Sequence, residues 1–466
     1  MKIVICSSEV VPFAKTGGLA DVAGALPLAL ENLKHEVIVV MPKYGCVNKA
    51  GVEIKQLKPG FSFAEIGKNI KVYFIENDQY YARPGLYGEK TGDYADNLSR
   101  FSFYSKRTLE LLKIIDFKPD VIHCNDWQSA LIAVYLKTQF KNDLFYKKTK
   151  SILTVHNLAY QGLFPKDQFA SLGLDNSLFS IDGFEFYGNI NFLKAGIIFA
   201  DFITTVSQGY AREILTPEFG CGLEEVLKKR KDRLSGIING LDYSLWDPRI
   251  DKYIFQNYDA DDLSGKKKNK KELQKLCNLR VSEDVPLLGF VGRLAEQKGI
   301  DILSEIIKDL GNLKIEVVIL GTGDLKYHVL LEEVAKRIPE SFSLNLKFDD
   351  VLAHRIYAGC DMFLMPSRYE PCGLGQMISF KYGTMPVAYK TGGLADTVVD
   401  YNSDAKNGNG FVFSQYSKET FLDAIRRGVS LCADKNKWDK LVKKAMKLNF
   451  SWEESAKKYV ELYNKR

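Results

Sequence analysis

Short apolar runs alternate with amphipathic stretches along most of this chain. In the first half the runs lie at 3–6, 37–41, 72–75, 121–124, 151–155, 202–206 and 237–238. They are rich in Val and Ile, as strands buried on both faces of a parallel sheet are. The first helix is predicted over Asp21–Leu33. This pattern predicts parallel sheets flanked by helices, an α/β fold.

The alternation stops over a polar stretch from 241 to 271 and then starts again. Further strands are predicted at 286–291, 315–320, 362–365, 385–389 and 410–413. We therefore expect two domains, 1–243 and 244–450, and an amphipathic helix within 451–466. The pattern alone does not assign that helix to either domain.

A run of lysines at 266–271 sits at the end of the polar stretch. The apolar residues that follow predict a helix through Leu279, with the lysines on its solvent-facing side. A solvated helix accounts for the run without any nucleic-acid or membrane contact.

Composition fits an ordinary globular enzyme. The chain has 466 residues, 46% of them hydrophobic and 26% charged, and its net charge of +6 is compatible with small anionic ligands without requiring nucleic acid. The eight cysteines form no CxxC pair, which favours reduced thiols over a disulfide framework or a zinc cluster. No run is as long as a membrane span, and the first apolar run is too short for a signal peptide. We expect a cytoplasmic protein.

One seven-residue phrase occurs twice, at Lys15–Asp21 and at Lys390–Asp396. Each copy has a cation and two adjacent glycines before an apolar helical pattern. Such a loop can direct backbone N–H groups at an anion. The repeat predicts two similar halves that share one anionic ligand.

Chemistry-bearing residues follow the predicted strands, where ligands of open parallel sheets bind. They are found at 15–21, 123–127, 156–157, 239–240, 293–298 and 370–375. Arg293 and Lys298 suit the neutralisation of a departing diphosphate, although two surface cations on a loop would look the same. Glu370 could accept hydrogen bonds from sugar hydroxyls. By itself it could equally be an acidic residue that the helix dipole favours at a helix N-terminus. His156 fits either the site or the core.

Other nucleotide-binding signatures are missing. Neither half has a GxGxxG after its first strand, and the chain contains no GxxxxGK[ST]. No GxSxG or Ser-His-Asp arrangement is present either.

As an ordered set the motifs resemble those of bacterial glycogen synthase and plastidial starch synthase, which use ADP-glucose. The resemblance covers essentially the whole chain. It is carried by 8–21, 125–127, 154–162, 239–242, 292–299, 366–374 and 390–396. It implies the GT-B fold, two Rossmann-like domains that face a deep cleft, with the C-terminal helix from Trp452 crossing back to the N-terminal domain.

The resemblance also implies a reaction and its residues. Glucose would pass from ADP-glucose to the non-reducing end of an α-1,4-glucan, with retention at the anomeric carbon. The implied catalytic residues are Lys15, His156, Arg293, Lys298 and Glu370. The implied donor-binding residues are Gly17, Gly18, Asp21, Asn239, Phe348, Cys372, Gly373, Leu374, Gly375 and Thr391. The implied acceptor-binding residues are Tyr94, Asp126 and Trp127.

The chain departs from the family pattern at Gly375, where a hydroxyl residue is usual, and at Phe348, where a tyrosine is common. Ile378 occupies the place of a second glutamate in related retaining transferases. A front-face substitution assisted by the departing phosphate is therefore the favoured mechanism.

Two rival functions stay open: a related transferase that uses UDP-glucose, and a catalytically silent glucan-binding scaffold. The diphosphate-directed cations and Glu370 argue against the scaffold. Phosphorylase chemistry is disfavoured because no lysine is marked for a pyridoxal cofactor. We expect no metal or other cofactor, and neither a nucleic-acid nor a membrane partner. The sequence leaves the oligomeric state open.

Overall fold

A computed structural model describes residues 1–89, 92–310 and 313–465, with only the backbone described at 308–310. The chain forms two compact units. Unit 1 comprises Met1–Gly240 together with the C-terminal segment that begins at Trp452, and unit 2 comprises Leu241–Ser451. Among the described residues no helix has the length and apolar character that crossing a membrane requires.

Unit 1 is built on a nine-stranded sheet. Its strands are β1 (Lys2–Cys6), β2 (Glu36–Pro42), β3 (Lys55–Lys58), β4 (Phe61–Ile66), β5 (Ile70–Ile75), β8 (Val121–Asn125), β9 (Lys150–Val155), β13 (Phe202–Thr205) and β14 (Leu234–Gly236). Two short hairpin strands, β6 (Gly88–Glu89) and β7 (Gly92–Asp93), and a small antiparallel sheet of β10 (Leu163–Pro165), β11 (Glu185–Phe186) and β12 (Asn189–Asn191) complete the unit. The order across the large sheet is β14-β13-β9-β8-β1-β2-β5-β4-β3, and all neighbouring pairs are parallel except β5–β4 and β4–β3.

Helices cover this sheet because its central strands are buried on both faces. They are α1 (Gly18–Asn32), α2 (Asp78–Tyr81), α3 (Asn97–Ile114), α4 (Asp126–Lys137), α5 (Phe192–Phe199), α6 (Gln208–Glu213) and α7 (Glu224–Lys229).

Unit 2 is built on a six-stranded parallel sheet. Its strands are β15 (Leu287–Val291), β16 (Glu316–Leu320), β17 (Phe342–Asn345), β18 (Met362–Met365), β19 (Met385–Tyr389) and β20 (Phe411–Phe413). Its helices are α8 (Ser264–Leu276), α9 (Ile300–Leu310), α10 (Leu325–Arg337), α11 (Asp350–Gly359), α12 (Gly375–Lys381), α13 (Gly392–Thr397), α14 (Lys418–Ala433) and α15 (Lys435–Met446).

The last helix, α16 (Trp452–Asn464), packs within unit 1 beside α1. The Ser455 hydroxyl donates to the Ile238 carbonyl at 2.7 Å. The Tyr463 hydroxyl lies 2.8 Å from Nδ1 of His123 in β8, and Lys150 Nζ in β9 donates to the Tyr463 carbonyl. Side chains from two parallel strands therefore hold the C-terminal helix on unit 1.

Both sheets share one strand order around a topological switch point. In unit 1 it runs β5-β2-β1-β8-β9-β13, and in unit 2 it runs β17-β16-β15-β18-β19-β20. Ligands of doubly wound sheets bind outside the carboxyl ends of the two strands where the order reverses. These strands are β1 and β8 in unit 1, and β15 and β18 in unit 2.

The structure corrects two sequence predictions. The strand expected at 237–238 lies slightly earlier, at Leu234–Gly236. The lysine run forms helix α8 as expected, but Lys266 and Lys270 are buried.

The ammonium groups of the two buried lysines each lie beside hydrogen-bond acceptors. Lys266 Nζ donates to Thr384 Oγ1 and to the carbonyls of Ala358, Cys360 and Tyr382 at 2.9–3.2 Å. Burial lowers the pKa of Lys266 to about 8. Lys270 pairs with Asp361 at 2.8 Å. These two residues tie α8 to the unit 2 core, so the solvent-facing prediction was wrong for them.

Candidate active site

The first copy of the repeated phrase forms the loop between β1 and α1, at the switch point of unit 1. Thr16, Gly17 and Gly18 are exposed there. A Cβ added to either glycine would have no described heavy atom within 4 Å. Lys15 Nζ pairs with Asp21 Oδ1 at 2.8 Å in an exposed ion pair. The Thr16 and Gly17 N–H groups already donate to Glu9 Oε2. The loop therefore presents an exposed cation and the Gly18 end of its turn to an approaching anion.

The ends of β8 and β9 bring Asp126 and His156 together. Asp126 Oδ1 accepts from the His156 backbone N–H at 2.7 Å. His156 Nε2 lies 2.9 Å from Asn125 Oδ1, and the Asn125 amide donates to the Cys6 carbonyl. Because that amide already donates, Asn125 Oδ1 is the acceptor and His156 Nε2 carries the proton.

Burial shifts the ionisation of both groups in opposite directions. Desolvation lowers the pKa of His156 to about 3, so the imidazole is neutral at physiological pH. Desolvation raises the pKa of Asp126 to about 7, against the opposing effect of the backbone hydrogen bond from His156. Asp126 also has a φ of +54°, an uncommon backbone conformation at the first residue of α4. At neutral pH the imidazole is therefore uncharged and the Asp126 carboxyl is only partly ionised, at the end of β8, which pairs with β1.

Asn239 follows β14 and contributes a buried acceptor. The residue is 7% exposed, and its Oδ1 has no hydrogen-bond partner among the described residues. A buried carbonyl oxygen without a donor is costly, and a ligand hydroxyl would satisfy it.

Trp127 and Tyr94 are both engaged with neighbouring side chains. Trp127 is 8% exposed and packs edge-on against Phe101 with ring centroids 4.8 Å apart. The half-buried Tyr94 ring lies 4.8 Å from the guanidinium of Arg83 and 5.0 Å from that of Arg100. The contacts of Trp127 are those of a packing residue, whereas Tyr94 stands at the base of the β6–β7 hairpin.

In unit 2 the loops after β15 and β18 bring Lys298 and Glu370 into contact. Lys298 Nζ donates to Glu370 Oε2 at 2.6 Å, and the Ser367 hydroxyl donates to the same oxygen at 2.9 Å. Glu370 is 7% exposed. Arg293 is exposed on the loop after β15, and its Nη2 donates to Gln297 Oε1. A buried carboxylate and two cations thus lie on the two loops of the switch point.

The turn after Glu370 leads into α12. Gly373 has a φ of +72°, and a Cβ there would lie 2.5 Å from Gln376 Oε1, which itself is buried without a described partner. Gln376 Nε2 donates to the Cys372 carbonyl at 3.0 Å. A Cβ at Gly375 would meet Phe363 at 3.0 Å. A side chain at 375 would therefore require a small shift of the Phe363 ring.

The second copy of the repeated phrase is packed rather than open. Thr391, Gly392 and Gly393 are buried at the start of α13. Gly393 N–H donates to the Glu370 carbonyl at 3.0 Å, and a Cβ at Gly393 would lie 2.0 Å from the Cys372 carbonyl oxygen. This copy supports the Glu370 turn, so the two copies differ in what their glycines do.

Phe348 lies between β17 and α11 with 84% of its surface exposed. The next residue, Asp349, caps α11 by accepting from Leu352 N–H at 2.9 Å. The cap fixes the loop, and the aromatic ring stays uncovered for stacking.

Only some of the predicted residues lie on the switch-point loops, among them Lys15 and Asp126 in unit 1, and Lys298 and Glu370 in unit 2. Others follow strands further out in the sheets: His156 follows β9, Asn239 follows β14, Phe348 follows β17 and Thr391 follows β19.

Glu9, Asn125 and Ser367 lie within the segments that carry the family resemblance, but the sequence predicted no role for them, and in the structure they hydrogen-bond to predicted residues or to their loop. Each is a polar side chain directly after a buried strand or beside a predicted residue, a position that could have flagged it. Among the described residues there is no group of three or more His, Cys, Asp or Glu side chains suited to a metal ion.

Comparison with known proteins places this geometry in a family. The family model described as the starch synthase catalytic domain matches residues 2–229, and the one described as glycosyl transferases group 1 matches residues 270–447. The glycogen synthase of Geotalea daltonii is 48% identical over 475 residues, covering 99% of this chain and 98% of that protein. The glycogen synthase of Thermosipho africanus is 46% identical over 484 residues, covering 100% and 99%.

A solved structure agrees with these relatives. The catalytic domain of starch synthase IV from Arabidopsis thaliana, bound to ADP and acarbose, superposes with a TM-score of 0.88 at 34% identity, covering 99% of this chain and 98% of that one. Sucrose-phosphate synthase from Thermosynechococcus elongatus has a TM-score of 0.63 at 17% identity, which is a likeness of fold alone.

Proposed function

This chain belongs to the glycogen synthase family and is a glycosyltransferase with the GT-B fold, and from that premise we propose that it transfers glucose from ADP-glucose to the non-reducing end of an α-1,4-glucan, with retention at the anomeric carbon. The family supplies the coarse statement, a nucleotide-sugar donor and a glucan acceptor. The identity of the donor and the roles of individual residues are the proposal.

The observation that carries the proposal is the contact between Lys298 and Glu370 at the switch point of unit 2. Lys298 Nζ lies 2.6 Å from Glu370 Oε2, so an ammonium group and a carboxylate are side by side. Arg293 is exposed on the same loop as Lys298. A nucleotide-sugar needs both kinds of group, because its sugar offers hydroxyl donors and its diphosphate gains negative charge as it leaves. We assign Glu370 to the glucosyl hydroxyls, and Arg293 and Lys298 to the diphosphate.

Residues of unit 1 supplement this set in the proposal. Lys15 and the exposed Gly17-Gly18 turn would lie against the donor phosphates, with Lys15 and the Gly18 end of the loop as the contacting groups, because the Gly17 N–H already donates to Glu9 Oε2. The unpartnered Oδ1 of Asn239 would accept from a sugar hydroxyl. The His156 backbone carbonyl would face the anomeric centre, and its imidazole, whose pKa is lowered to about 3, would add no charge there.

The proposed mechanism is a front-face substitution. The C1–O bond to the diphosphate breaks as cations stabilise the departing ADP, and the acceptor hydroxyl attacks from the same face. The departing phosphate takes the acceptor proton. Ile378, at the place of a second glutamate in related retaining transferases, is apolar and 5% exposed, so it supplies no nucleophile.

For the nucleobase we propose stacking on Phe348. Its ring is 84% exposed and its loop is fixed by the Asp349 cap. The structure of the Arabidopsis starch synthase was determined with ADP bound, which supports adenine as the base here. Phe348 has no hydroxyl, so base preference would rest on stacking and on backbone contacts.

The decisive experiment compares the incorporation of labelled glucose into glycogen from ADP-glucose and from UDP-glucose. We expect ADP-glucose to give the higher kcat/KM. Equal or greater use of UDP-glucose would overturn the donor assignment. If neither donor gave incorporation while glycogen still bound, the chain would be a glucan-binding scaffold.

A second experiment tests the unit 1 loop through Lys15→Ala. Since Lys15 is exposed and its ion pair with Asp21 adds little to stability, the variant should fold normally and lose about 100-fold in kcat/KM for the donor. The exposed Lys68→Ala in the same unit is the matched control and should keep wild-type kinetics. Unchanged kinetics for Lys15→Ala would remove this loop from the donor site.

A further inference from the structure

Glu9 is a buried carboxylate to which the proposed reaction assigns no role. It follows β1 at the switch point of unit 1 and is 3% exposed. Its Oε2 accepts from the Thr16 N–H at 2.5 Å and from the Gly17 N–H at 3.3 Å. Its Oε1 accepts from the Thr16 hydroxyl at 2.6 Å. Three of its hydrogen bonds therefore hold the loop that carries Lys15.

The fourth hydrogen bond reaches a different segment of the chain. The Tyr87 hydroxyl donates to Glu9 Oε1 at 2.6 Å and accepts from the Ser8 hydroxyl at 2.7 Å. Burial raises the pKa of Tyr87 well above its usual range, and the neighbouring Tyr44 and Glu9 raise it further. The phenol therefore stays protonated and remains a donor at physiological pH.

Tyr87 is the first residue of the segment that forms the β6–β7 hairpin. Its carbonyl accepts from the Tyr94 N–H and from the Asn97 side chain, both at 2.9 Å. The preceding carbonyl, of Leu86, accepts from Arg100 at 2.9 Å. The position of Tyr94 at the end of the hairpin therefore depends on Tyr87 and the α3 residues that hold it.

The two segments joined in this way line one cavity. Its volume is about 440 Å³, and its walls include Phe13, Lys15 and Thr16 from the loop and Gly85 and Leu86 from the chain before the hairpin. The Glu9–Tyr87 hydrogen bond links residues adjacent to both walls. A shift of either segment would change the width of this cavity.

Glu9 has no acceptor capacity to spare for a substrate. Each carboxylate oxygen accepts two hydrogen bonds in a normal arrangement, and both oxygens of Glu9 already accept two. Its hydrogen bonds are all internal to unit 1. This pattern is that of a group that fixes other groups in place.

We propose that Glu9 and Tyr87 are positioning residues that couple the Lys15 loop to the hairpin segment carrying Tyr94. The effect expected on the kinetics rests on the proposed function, in which Lys15 binds the donor and Tyr94 binds the acceptor. Loosening the Glu9–Tyr87 bond would then weaken the use of both substrates, although neither side chain touches them.

The kinetic test uses Tyr87→Phe, which removes one hydroxyl and keeps the ring. The matched control is Tyr146→Phe, whose buried phenol donates to the Leu109 carbonyl at the far end of α3. Tyr87→Phe should raise KM for ADP-glucose and KM for malto-oligosaccharide, each by about fivefold or more. Tyr146→Phe should change neither KM by more than about twofold. Identical kinetics in the two variants, or a change confined to one substrate, would overturn the coupling.

A second measurement does not depend on the reaction. Amide hydrogen exchange at Thr16 and Gly17 reports the bonds to Glu9 directly. Exchange at these two amides should be about fivefold or more faster in Tyr87→Phe than in the wild type and in Tyr146→Phe. Glu9→Gln should show the same effect, because only one oxygen remains to accept. Unchanged exchange in Tyr87→Phe would refute the positioning role.

The two measurements separate this inference from the proposed function. If the wild type incorporated no glucose from ADP-glucose, the proposed function would fail, and the exchange experiment would still decide whether Glu9 and Tyr87 hold the loop. If the wild type is active, faster exchange with unchanged KM values would overturn the coupling alone.

Discussion

At the scale of single residues, the charged groups of the candidate site already have partners, and these partners differ in strength. Lys15 and Asp21 form an exposed pair, with side-chain exposures of 54% and 35%. Lys298 and Glu370 are far less exposed, at 27% and 9%. Exposed pairs contribute little because water screens them, so phosphate can displace Asp21 from Lys15 readily. The Lys298–Glu370 pair is a fixed part of unit 2.

The first prediction follows from that difference. Lys298→Ala leaves the Glu370 carboxylate buried with only Ser367 as a described side-chain donor, so we expect a loss of roughly 1–3 kcal/mol in the free energy of unfolding besides the loss of activity. Lys275→Ala removes an exposed pair with Glu272 in the same unit and should cost less than about 0.5 kcal/mol. Urea denaturation of both variants checks this, and equal losses would contradict it.

The second prediction concerns pH and the buried histidines of unit 1. Desolvation lowers the pKa of His123 and of His156 to about 3, whereas unfolded histidine titrates near pH 6.5. The unfolded chain therefore binds more protons between these values, and their stabilisation is lost as the pH falls below 6.5. Asp126 changes stability in the opposite direction. Its pKa is raised to about 7, so between pH 7 and about pH 4 the folded chain binds the extra proton, and this group adds stability as the pH falls.

Between pH 6 and 5 the two histidines outweigh the one aspartate, so these three groups together should lower stability as the pH falls. His123→Asn removes the contribution of one histidine and should flatten the slope by up to about 1.4 kcal/mol per pH unit. Urea denaturation at pH 5.0, 5.5 and 6.0 measures it. A slope that is the same in His123→Asn and the wild type would contradict the assignment.

At the scale of elements, the repeated phrase shows how one sequence serves two structural purposes. In the loop before α1 its glycines are exposed and face open space. At the start of α13 they are buried, and Gly393 lies against the turn that carries Glu370. Both copies begin a helix after a parallel strand, but the backbone differs at the first glycine: Gly17 is extended, with a φ of −153°, whereas its counterpart Gly392 has a φ of +43°. The copies differ in this conformation and in the segment that packs against each.

The third prediction compares alanine in the two copies. Gly17 has extended backbone and an open Cβ position, so Gly17→Ala should fold with unchanged stability and raise KM for the donor. Gly393→Ala would place a Cβ 2.0 Å from the Cys372 carbonyl, so it should destabilise the protein by about 2 kcal/mol or more. Thermal unfolding and donor kinetics of the two variants distinguish them. Equal melting temperatures would show that the Glu370 turn adapts freely.

At the scale of the whole molecule, the chain passes between its two units twice. It leaves unit 1 after Gly240 and returns at Trp452. A Cβ on Gly240 would lie 2.4 Å from Trp452 Cα, and Leu241 N–H donates to the Phe450 carbonyl at 2.6 Å. The two passages are therefore neighbours, and α16 completes the core of unit 1 with residues remote in sequence.

The fourth prediction tests that completion. Tyr463→Phe removes the hydroxyl beside His123 Nδ1, so a buried ring nitrogen loses its hydrogen-bond partner. The free energy of unfolding should therefore fall by about 1–2 kcal/mol. Tyr160→Phe, at a residue that is 55% exposed in the same unit, is the control and should be near neutral. Differential scanning calorimetry of both variants checks the difference. A neutral Tyr463→Phe would mean that this hydroxyl adds no net stability and that α16 is held by packing and by the Ser455 and Lys150 hydrogen bonds.

The sequence by itself determined the two α/β sheets, nearly all of their parallel strands and the loops that carry the candidate chemistry. Apolar runs and helical periodicity are local properties, and parallel topology then directs the residues after each strand to one edge of the sheet. The sequence did not predict β3 and β4, which pair antiparallel at one edge of the unit 1 sheet, or β17 in unit 2. In the case of β3 the reason is that the strand is exposed along its length and has no apolar signal.

Only the tertiary structure decided which side chains meet across long sequence separations. It buried Lys266 and Lys270 against backbone carbonyls and a carboxylate from more than ninety residues away, where helical periodicity had placed them in solvent. It made one glycine pair open and the other packed, and it joined Glu9 to Tyr87. The physical reason is common to all of these: a polar side chain is buried where partners from other segments can satisfy it, and those partners are set by the fold.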